Sequence, residues 1–201
     1  MAVRVARGDE TATRVLDVAQ RLVQVRGFNG FSYADVAAEL GITKAALHYH
    51  FASKSALGAA LIDRYGARLS QNLARISSAD ASAVARLRGY AAVYRDLLRQ
   101  ERLCLCGMLA AEYQTLPADM QSAVTRFFTL NEAWLEAVLR EGAAAGEIGL
   151  AGPPADAAVA LVAGLEGAML VTRPFGDMAR FDTVARLLLD GLTGTLVPAG
   201  D

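Results

Sequence analysis

Basic and hydrogen-bonding side chains cluster in one short stretch of the chain. Its only lysines are Lys44 and Lys54, and its only histidines, His48 and His50, lie between them. Phosphate oxygens attract such cations, and base edges exchange hydrogen bonds with such side chains. The cluster therefore predicts contact with nucleic acid.

The net charge of the whole chain is compatible with this prediction because the charges are unevenly distributed. The formal net charge is −1 at pH 7. Residues 1–55 contain seven Lys and Arg against five Asp and Glu, giving +2, whereas residues 56–201 contain thirteen against sixteen, giving −3. The amino-terminal part thus carries the positive charge that a nucleic-acid surface requires.

Apolar residues recur at helical spacing along the chain, and 54% of its residues are hydrophobic. This pattern predicts a compact all-α fold of about nine helices. We expect the nine helices at residues 11–26, 32–40, 44–50, 53–73, 87–97, 105–113, 120–140, 156–172 and 177–195.

The second and third predicted helices are separated by a very short turn. Ser32 and Asp35 form a capping box at the start of the second helix, which ends at Gly41, and Thr43 is placed to cap the third. This layout is typical of a helix-turn-helix, whose second helix enters a major groove about 12 Å wide. We expect its outward face to carry Thr43, Lys44, Ala45, His48 and Tyr49.

A membrane or secreted protein is not expected. The most apolar stretch, residues 157–171, contains Glu166 and is shorter than the roughly 18 to 20 residues of a membrane span, so it predicts a buried helix. Met1–Glu10 has no apolar core of a signal peptide. We therefore expect a cytoplasmic protein with no membrane partner.

No residue pattern in the sequence is typical of an enzyme active site or of a metal site. Cys104 and Cys106 are too close for an unstrained disulfide within a helix, and with two histidines they do not form a four-ligand metal site. Neither thiol has an evident companion base, and there is no glycine-rich phosphate loop. We therefore expect no enzyme activity, no metal and no cofactor.

Residues Phe31–Leu57, FSYADVAAELGITKAALHYHFASKSAL, resemble the DNA-binding signature of the TetR family of repressors. The resemblance implies a DNA-binding domain at residues 1–55 and an effector-binding and dimerisation domain at residues 56–201. It also implies an Ω-shaped homodimer that binds double-stranded operator DNA and leaves it when a small-molecule effector binds. Repression rather than activation rests on this resemblance alone.

Roles within the DNA-binding site follow from the same resemblance. Thr43, Tyr49, His50 and Lys54 are expected to hold phosphates, and Lys44, Ala45 and His48 to lie near base edges. His48 stands where the family commonly has tyrosine. The full predicted set is Ser32, Tyr33, Thr43, Lys44, Ala45, His48, Tyr49, His50 and Lys54. A helix-turn-helix used for protein contact is the alternative, which the basic cluster disfavours.

The effector pocket implied by the resemblance is expected among polar, aromatic and sulfur-containing residues of the second domain. The candidates are Tyr94, Cys104, Cys106, Met108, Tyr113, Phe127, Asn131, Trp134, Glu166, Met169 and Arg173. Aromatic and methionine residues at helical spacing equally form a core. Glu166 and Arg173 are charges on a very apolar helix, and a buried charge requires a partner.

Two further features of the second domain have two explanations each. Residues 103–117 resemble a stretch of family members that respond to electrophiles through a cysteine, so Cys104 and Cys106 are either a thiol sensor or two small buried hydrophobic residues. Small and apolar residues of the last two helices form either a dimer interface or a plain core. They are Ala157, Leu161, Gly164, Leu165, Ala168, Phe181, Val184, Leu188 and Leu192.

Overall fold

A computed structural model describes residues 2–79 and 82–193, with side chains from Glu10 onward. This part of the chain contains nine α-helices and no strand, which confirms the predicted all-α fold. The helices are α1 (Ala2–Arg26), α2 (Tyr33–Leu40), α3 (Lys44–His50), α4 (Lys54–Ala79), α5 (Ala83–Arg99), α6 (Leu105–Ala111), α7 (Ala118–Ala144), α8 (Pro154–Thr172) and α9 (Met178–Thr193).

Several helices extend beyond their predicted bounds. Helix α1 begins at Ala2 rather than Thr11, because no proline between them interrupts it. Helix α5 begins at Ala83, where the Ser82 hydroxyl accepts a hydrogen bond from the Ala85 amide at 3.4 Å. The last two residues of the predicted final helix, 194 and 195, lie outside the described residues.

The described residues form two compact units, which do not follow the predicted boundary at residues 55 and 56. One unit comprises Met1–Ala67 and Cys104–Phe127, and the other Arg68–Leu103 and Phe128–Asp201, within the described residues. The first half of α4, α6 and the start of α7 therefore share a core with the helix-turn-helix. The division into a DNA-binding and an effector-binding domain remains a prediction about function.

The core of the first unit is built from one apolar stripe of each helix. Helix α1 packs against α2, α3 and α6. The stripe residues are almost fully buried because the helices lie against one another. They include Val15, Ala19, Leu22, Val23, Val36, Leu47, Leu57, Leu61, Leu105, Leu109 and Met120.

The loop between α1 and α2 is fastened by the carboxylate of Glu112, just after α6. Its Oε2 atom accepts hydrogen bonds from the amides of Phe28 at 2.6 Å and Asn29 at 3.2 Å. The Asn29 side chain in turn donates to the Thr115 hydroxyl at 2.8 Å. Gly27 has φ +83°, and a Cβ atom there would lie 2.6 Å from Glu112 Oε1, so the close approach requires glycine.

The second unit contains α5, α8 and α9, which pack against one another. Its core includes Leu87, Tyr90, Leu135, Leu139, Leu165, Met169 and Phe181. An ion pair between Arg95 and Asp182, 2.9 Å long, joins α5 to α9.

Helix α8 is apolar on all sides. Pro154–Phe175 is long and apolar enough to cross a membrane by length and composition alone, and 39% of its most apolar window is buried. Core helices also meet that criterion, and α8 contacts both α5 and α9. Its outer side nevertheless leaves Val159, Leu170 and Val171 exposed.

Replacing Glu112 with alanine should destabilise the first unit. The substitution leaves the amides of Phe28 and Asn29 without their acceptor, which lowers the free energy of unfolding by about 1–3 kcal/mol. Glu136→Ala is the matched control, since Glu136 pairs with Arg140 one turn along α7 on the surface and its loss should cost less than about 0.5 kcal/mol. Urea unfolding followed by circular dichroism measures both. Equal losses in the two variants would contradict the fastening role of Glu112.

Candidate DNA-binding site

The start of α2 is fixed by the predicted capping box. The Ser32 hydroxyl accepts a hydrogen bond from the Asp35 amide at 3.4 Å, and Asp35 Oδ2 accepts one from the Ser32 amide at 2.7 Å. Hydrogen bonds from the side chain and backbone of Ser32 lower the pKa of Asp35. Ser32 itself is exposed and stays a predicted DNA contact.

The turn between α2 and α3 requires a left-handed residue. Gly41 has φ 65°, and the Ile42 amide donates to the Ala37 carbonyl at 3.0 Å, which closes the end of α2. Thr43 then accepts a hydrogen bond from the Ala46 amide at 3.1 Å and caps α3. The two helices therefore follow each other with only three residues between them, Gly41 to Thr43.

Helix α3 has one buried anchor and a largely exposed outer surface. Leu47 is fully buried, at 0% relative exposure, and fixes the helix against the core of the first unit. The surface opposite the core, here called the recognition face, consists of Thr43, Lys44, Ala45, His48 and Tyr49, all of them wholly or partly exposed. Tyr49 is 85% exposed, so its large ring is available to a partner.

The rings of Tyr33 and His50 flank the recognition face. The His48 ring lies 4.7 Å from the ring of Tyr33. The His50 ring lies 5.2 Å from the Tyr49 ring, edge to face, and His50 is half-buried. The structure thus brings most of the predicted DNA contacts onto or directly beside α3, with Tyr33 packed against them.

Tyr33 has a structural role that its place in the sequence does not reveal. Its side chain is buried, and its hydroxyl donates a hydrogen bond to the Phe51 carbonyl at 2.9 Å. Burial raises the pKa of Tyr33 to about 12. The phenol therefore ties α2 to the residue after α3, while its predicted DNA contact stays a prediction.

Lys54 is also engaged within the fold. Its ammonium group donates to the Phe31 carbonyl at 2.5 Å and lies 4.7 Å and 4.5 Å from the ring centres of Phe28 and Phe31. Desolvation by burial lowers the pKa of Lys54, and the carboxylates of Glu112 and Asp35 oppose that shift. An ammonium group has three donors, so Lys54 can hold this carbonyl and still face a phosphate.

The predicted effector-pocket residues fall into both compact units. Cys104, Cys106, Met108, Tyr113 and Phe127 belong to the first, where both cysteines are buried and free of disulfides. The Phe127 ring lies 5.6 Å from that of Tyr65. The remaining candidates, Tyr94, Asn131, Trp134, Glu166, Met169 and Arg173, belong to the second.

Three of those in the second unit meet around Tyr90, which was not among the predicted site residues. The Tyr90 hydroxyl lies 2.9 Å from that of Tyr94 and donates to Asn131 Oδ1 at 3.2 Å. The Trp134 ring stacks on Tyr90 at 5.8 Å. A buried tyrosine hydroxyl needs a hydrogen-bond partner, so the four-residue spacing of Tyr90 and Tyr94 was a usable signal.

The two charges predicted on the apolar helix differ in their surroundings. Arg173 lies beyond the end of α8 and is exposed, so it is not the buried charge that the apolar sequence around it suggested. Glu166 is half-buried on α8. In the described ranges, no group of three or more His, Cys, Asp or Glu side chains is placed to hold a metal ion.

Family profiles match both halves of the chain. The profile described as bacterial regulatory proteins, tetR family, matches residues 15–61, which include the whole helix-turn-helix. The profile for the tetracyclin repressor-like C-terminal domain matches residues 83–188. The chain belongs to the tetR family.

Solved structures of tetR-family proteins share this fold along most of the chain. A transcriptional regulator from Agrobacterium tumefaciens is 32% identical, with a TM-score of 0.90 over 92% of this chain and 99% of that one. A TetR regulator from Legionella pneumophila is 30% identical, with a TM-score of 0.81 over 89% of this chain and 95% of that one.

The repressor NemR of Escherichia coli is a further relative. It is 27% identical over 124 residues, which cover 58% of this chain and 61% of NemR, less than two thirds of its length. The crystal structure of its reduced form has a TM-score of 0.79 at 25% identity and covers 94% of this chain and 100% of that one.

Removing either lysine should weaken DNA binding, with different effects on the fold. Lys44→Ala lowers the affinity and reduces the slope of log K against log salt by about 0.9 per lost phosphate contact, while leaving the melting temperature unchanged, because Lys44 is exposed on α3. Lys54→Ala lowers both affinity and melting temperature, since it also removes the contacts with Phe31 and Phe28.

Fluorescence anisotropy at several salt concentrations measures the affinity, and a thermal melt measures the fold. Arg88→Ala is the control, because it removes an exposed cation of α5 in the second unit. Wild-type affinity and salt slope in both lysine variants would contradict the assignment of the recognition face.

Proposed function

We propose that this protein is a transcriptional repressor that binds operator DNA as a homodimer and is released by a small-molecule effector. One observation carries the proposal: a short helix, anchored by Leu47, holds Lys44, His48 and Tyr49 outward on one exposed face. Such a helix fits the major groove, and its cation and hydrogen-bonding groups match the chemistry of phosphates and base edges.

The recognition face is preorganised, which favours specific binding. The Thr43 cap, the Tyr33–Phe51 hydrogen bond and the Lys54–Phe31 hydrogen bond hold both ends of α3 and the start of α4 before any DNA is bound. Little conformational entropy is then lost on binding. A surface used only for loose electrostatic attraction does not require such anchoring.

Repression and effector control are supported by the relatives. NemR is named as a transcriptional repressor, and residues 83–188 match the tetracyclin repressor-like C-terminal domain. Helices α4 and α7 each begin in the first compact unit and continue into the second. A ligand lowers the operator affinity if it and the DNA prefer different arrangements of these helices, by at most the difference in its own affinity for the two.

We propose the group formed by Tyr90, Tyr94, Asn131 and Trp134 as an effector-contact region of the second unit. It combines buried hydroxyl and amide groups with aromatic rings, a combination that suits a small ligand with both apolar and polar parts. The two cysteines are 3% and 0% exposed, so the structural explanation, two small buried hydrophobic residues, is favoured over a thiol sensor.

We place the protein in the cytoplasm, where operator DNA is found.

The exposed apolar side of α8 and α9 supports the homodimer. Val159, Leu170 and Val171 of α8 and Val184 and Leu187 of α9 are between 37% and 61% exposed. Large exposed apolar patches mark interaction sites, and a two-fold symmetric operator calls for a second copy. A nearby groove of about 340 Å³ is lined by Ala157, Ala160, Leu161, Leu188 and Leu192, among others, and offers further surface for that copy.

Titration into labelled DNA from upstream of the protein's own gene tests the operator. Tight, salt-sensitive binding that random DNA does not reproduce is expected, with an affinity ratio of at least about a thousandfold at physiological salt. Equal affinity for both DNAs, after a selection from randomised DNA has also returned no preferred sequence, would contradict a specific regulator. The same titration then screens effectors by their release of the DNA.

Introducing a charge into the α8–α9 face should separate the homodimer. Val171→Arg and Leu187→Arg each place a cation in a surface that we expect to be desolvated, which favours the monomer. Leu130→Arg is the matched control, since Leu130 is 64% exposed but lies on α7. Light scattering coupled to size-exclusion chromatography measures the mass. A dimer in all three variants, or a monomeric wild type, would show that this face is not the interface.

A further inference from the structure

His48 is held differently from the other residues of the recognition face. Its ring lies against Tyr33, at 4.7 Å between ring centres, and its Nδ1 atom lies 3.2 Å from the Ala52 carbonyl oxygen. Tyr33 is itself buried and bound to the Phe51 carbonyl. The imidazole is therefore fixed on one side by a ring and at one edge by a backbone group.

The Ala52 contact decides which ring nitrogen carries the proton. A carbonyl oxygen only accepts hydrogen bonds, so Nδ1 must donate to it. In the neutral imidazole the other nitrogen, Nε2, then has no hydrogen and acts as an acceptor. His48 is exposed, and among the described residues no hydrogen bond occupies Nε2.

An acceptor on the recognition face discriminates by the strand on which a base pair presents its amino group, because each A·T or G·C pair has one such donor in the major groove. In the major groove, adenine presents its N6 amino group and cytosine its N4 amino group as donors. Guanine presents the acceptors N7 and O6, and thymine presents O4 and a methyl group, so none of these can donate to Nε2. A histidine with the opposite tautomer would instead donate to the acceptors of the groove, which are guanine N7 and O6, adenine N7 and thymine O4.

We propose that His48 is a specificity-determining residue whose Nε2 accepts a hydrogen bond from the exocyclic amino group of adenine or cytosine in each operator half-site. The inference rests on the proposed operator binding and adds the chemical identity of one contacted group. Ala52 acts through His48 as a positioning residue, because its carbonyl fixes the tautomer without touching DNA.

Selection from randomised DNA yields the preferred binding sequence directly. One base pair per half-site is expected to be specified by the wild type, with its adenine or cytosine on the strand that His48 contacts, and to lose that preference in His48→Phe, which keeps a ring against Tyr33 but has no nitrogen. His50→Ala is the control: it lowers affinity for all sequences and leaves the base preference intact.

Base analogues then isolate the hydrogen bond in the full-length protein. Replacing the selected adenine by purine, or cytosine by 2-pyrimidinone, removes only the amino group and should weaken wild-type binding about three- to tenfold, but leave His48→Phe unaffected. In parallel, long-range ¹H–¹⁵N NMR should report a protonated Nδ1 and an unprotonated Nε2 for His48.

The possible failures are distinguishable. Wild-type affinity for DNA that lacks the adenine or cytosine amino group at the position that depends on His48, equal loss in both proteins, or a protonated Nε2 would overturn this inference and leave operator binding in place. A wild type that selects no sequence would overturn the proposed function and this inference with it. A thermal melt checks that His48→Phe is folded.

Discussion

A helix of seven residues does not keep its shape in water unless other parts of the protein hold it, because isolated helices shorter than about 12–15 residues are marginal. Helix α3, Lys44–His50, is such a helix and carries nearly all of the recognition face. Its conformation depends on Leu47 in the core, the Thr43 cap and the Tyr33 hydroxyl on Phe51. The same anchoring orders the surroundings, since Lys54 fixes Phe31 and Glu112 fixes the loop that contains Phe28.

The helix-turn-helix was predictable because its signals are local. Ser32, Asp35, Gly41 and Thr43 act on residues at most four positions away, and the structure places each of these caps and turns where the sequence indicates. The start of α1 was not predictable in this way, since no residue near Thr11 marks a boundary. The bond from Glu112 to Phe28 joins residues 84 positions apart, which no local pattern reveals.

In the second unit, composition predicted helices but could not assign their faces. Helix α8 is apolar all round, so periodicity does not separate its buried side from its exposed side, and only packing against α5 and α9 does. The sequence predicts that Arg173 belongs to that helix, whereas it follows the last residue of α8. Residue type selects Tyr94 and Asn131, and the four-residue spacing of Tyr90 and Tyr94 indicates their pairing, but the hydrogen bond from Tyr90 to Asn131 on another helix becomes apparent only in three dimensions.

Hydrogen–deuterium exchange of the full-length protein with and without its selected operator DNA tests most directly whether the anchored α3 is the DNA-binding element. The account predicts that DNA slows amide exchange most strongly in peptides spanning residues 43–54, with a smaller effect around Ser32, because these amides lie on or behind the recognition face. Unchanged exchange in residues 43–54 at saturating DNA, together with strong protection elsewhere in the chain, would contradict it.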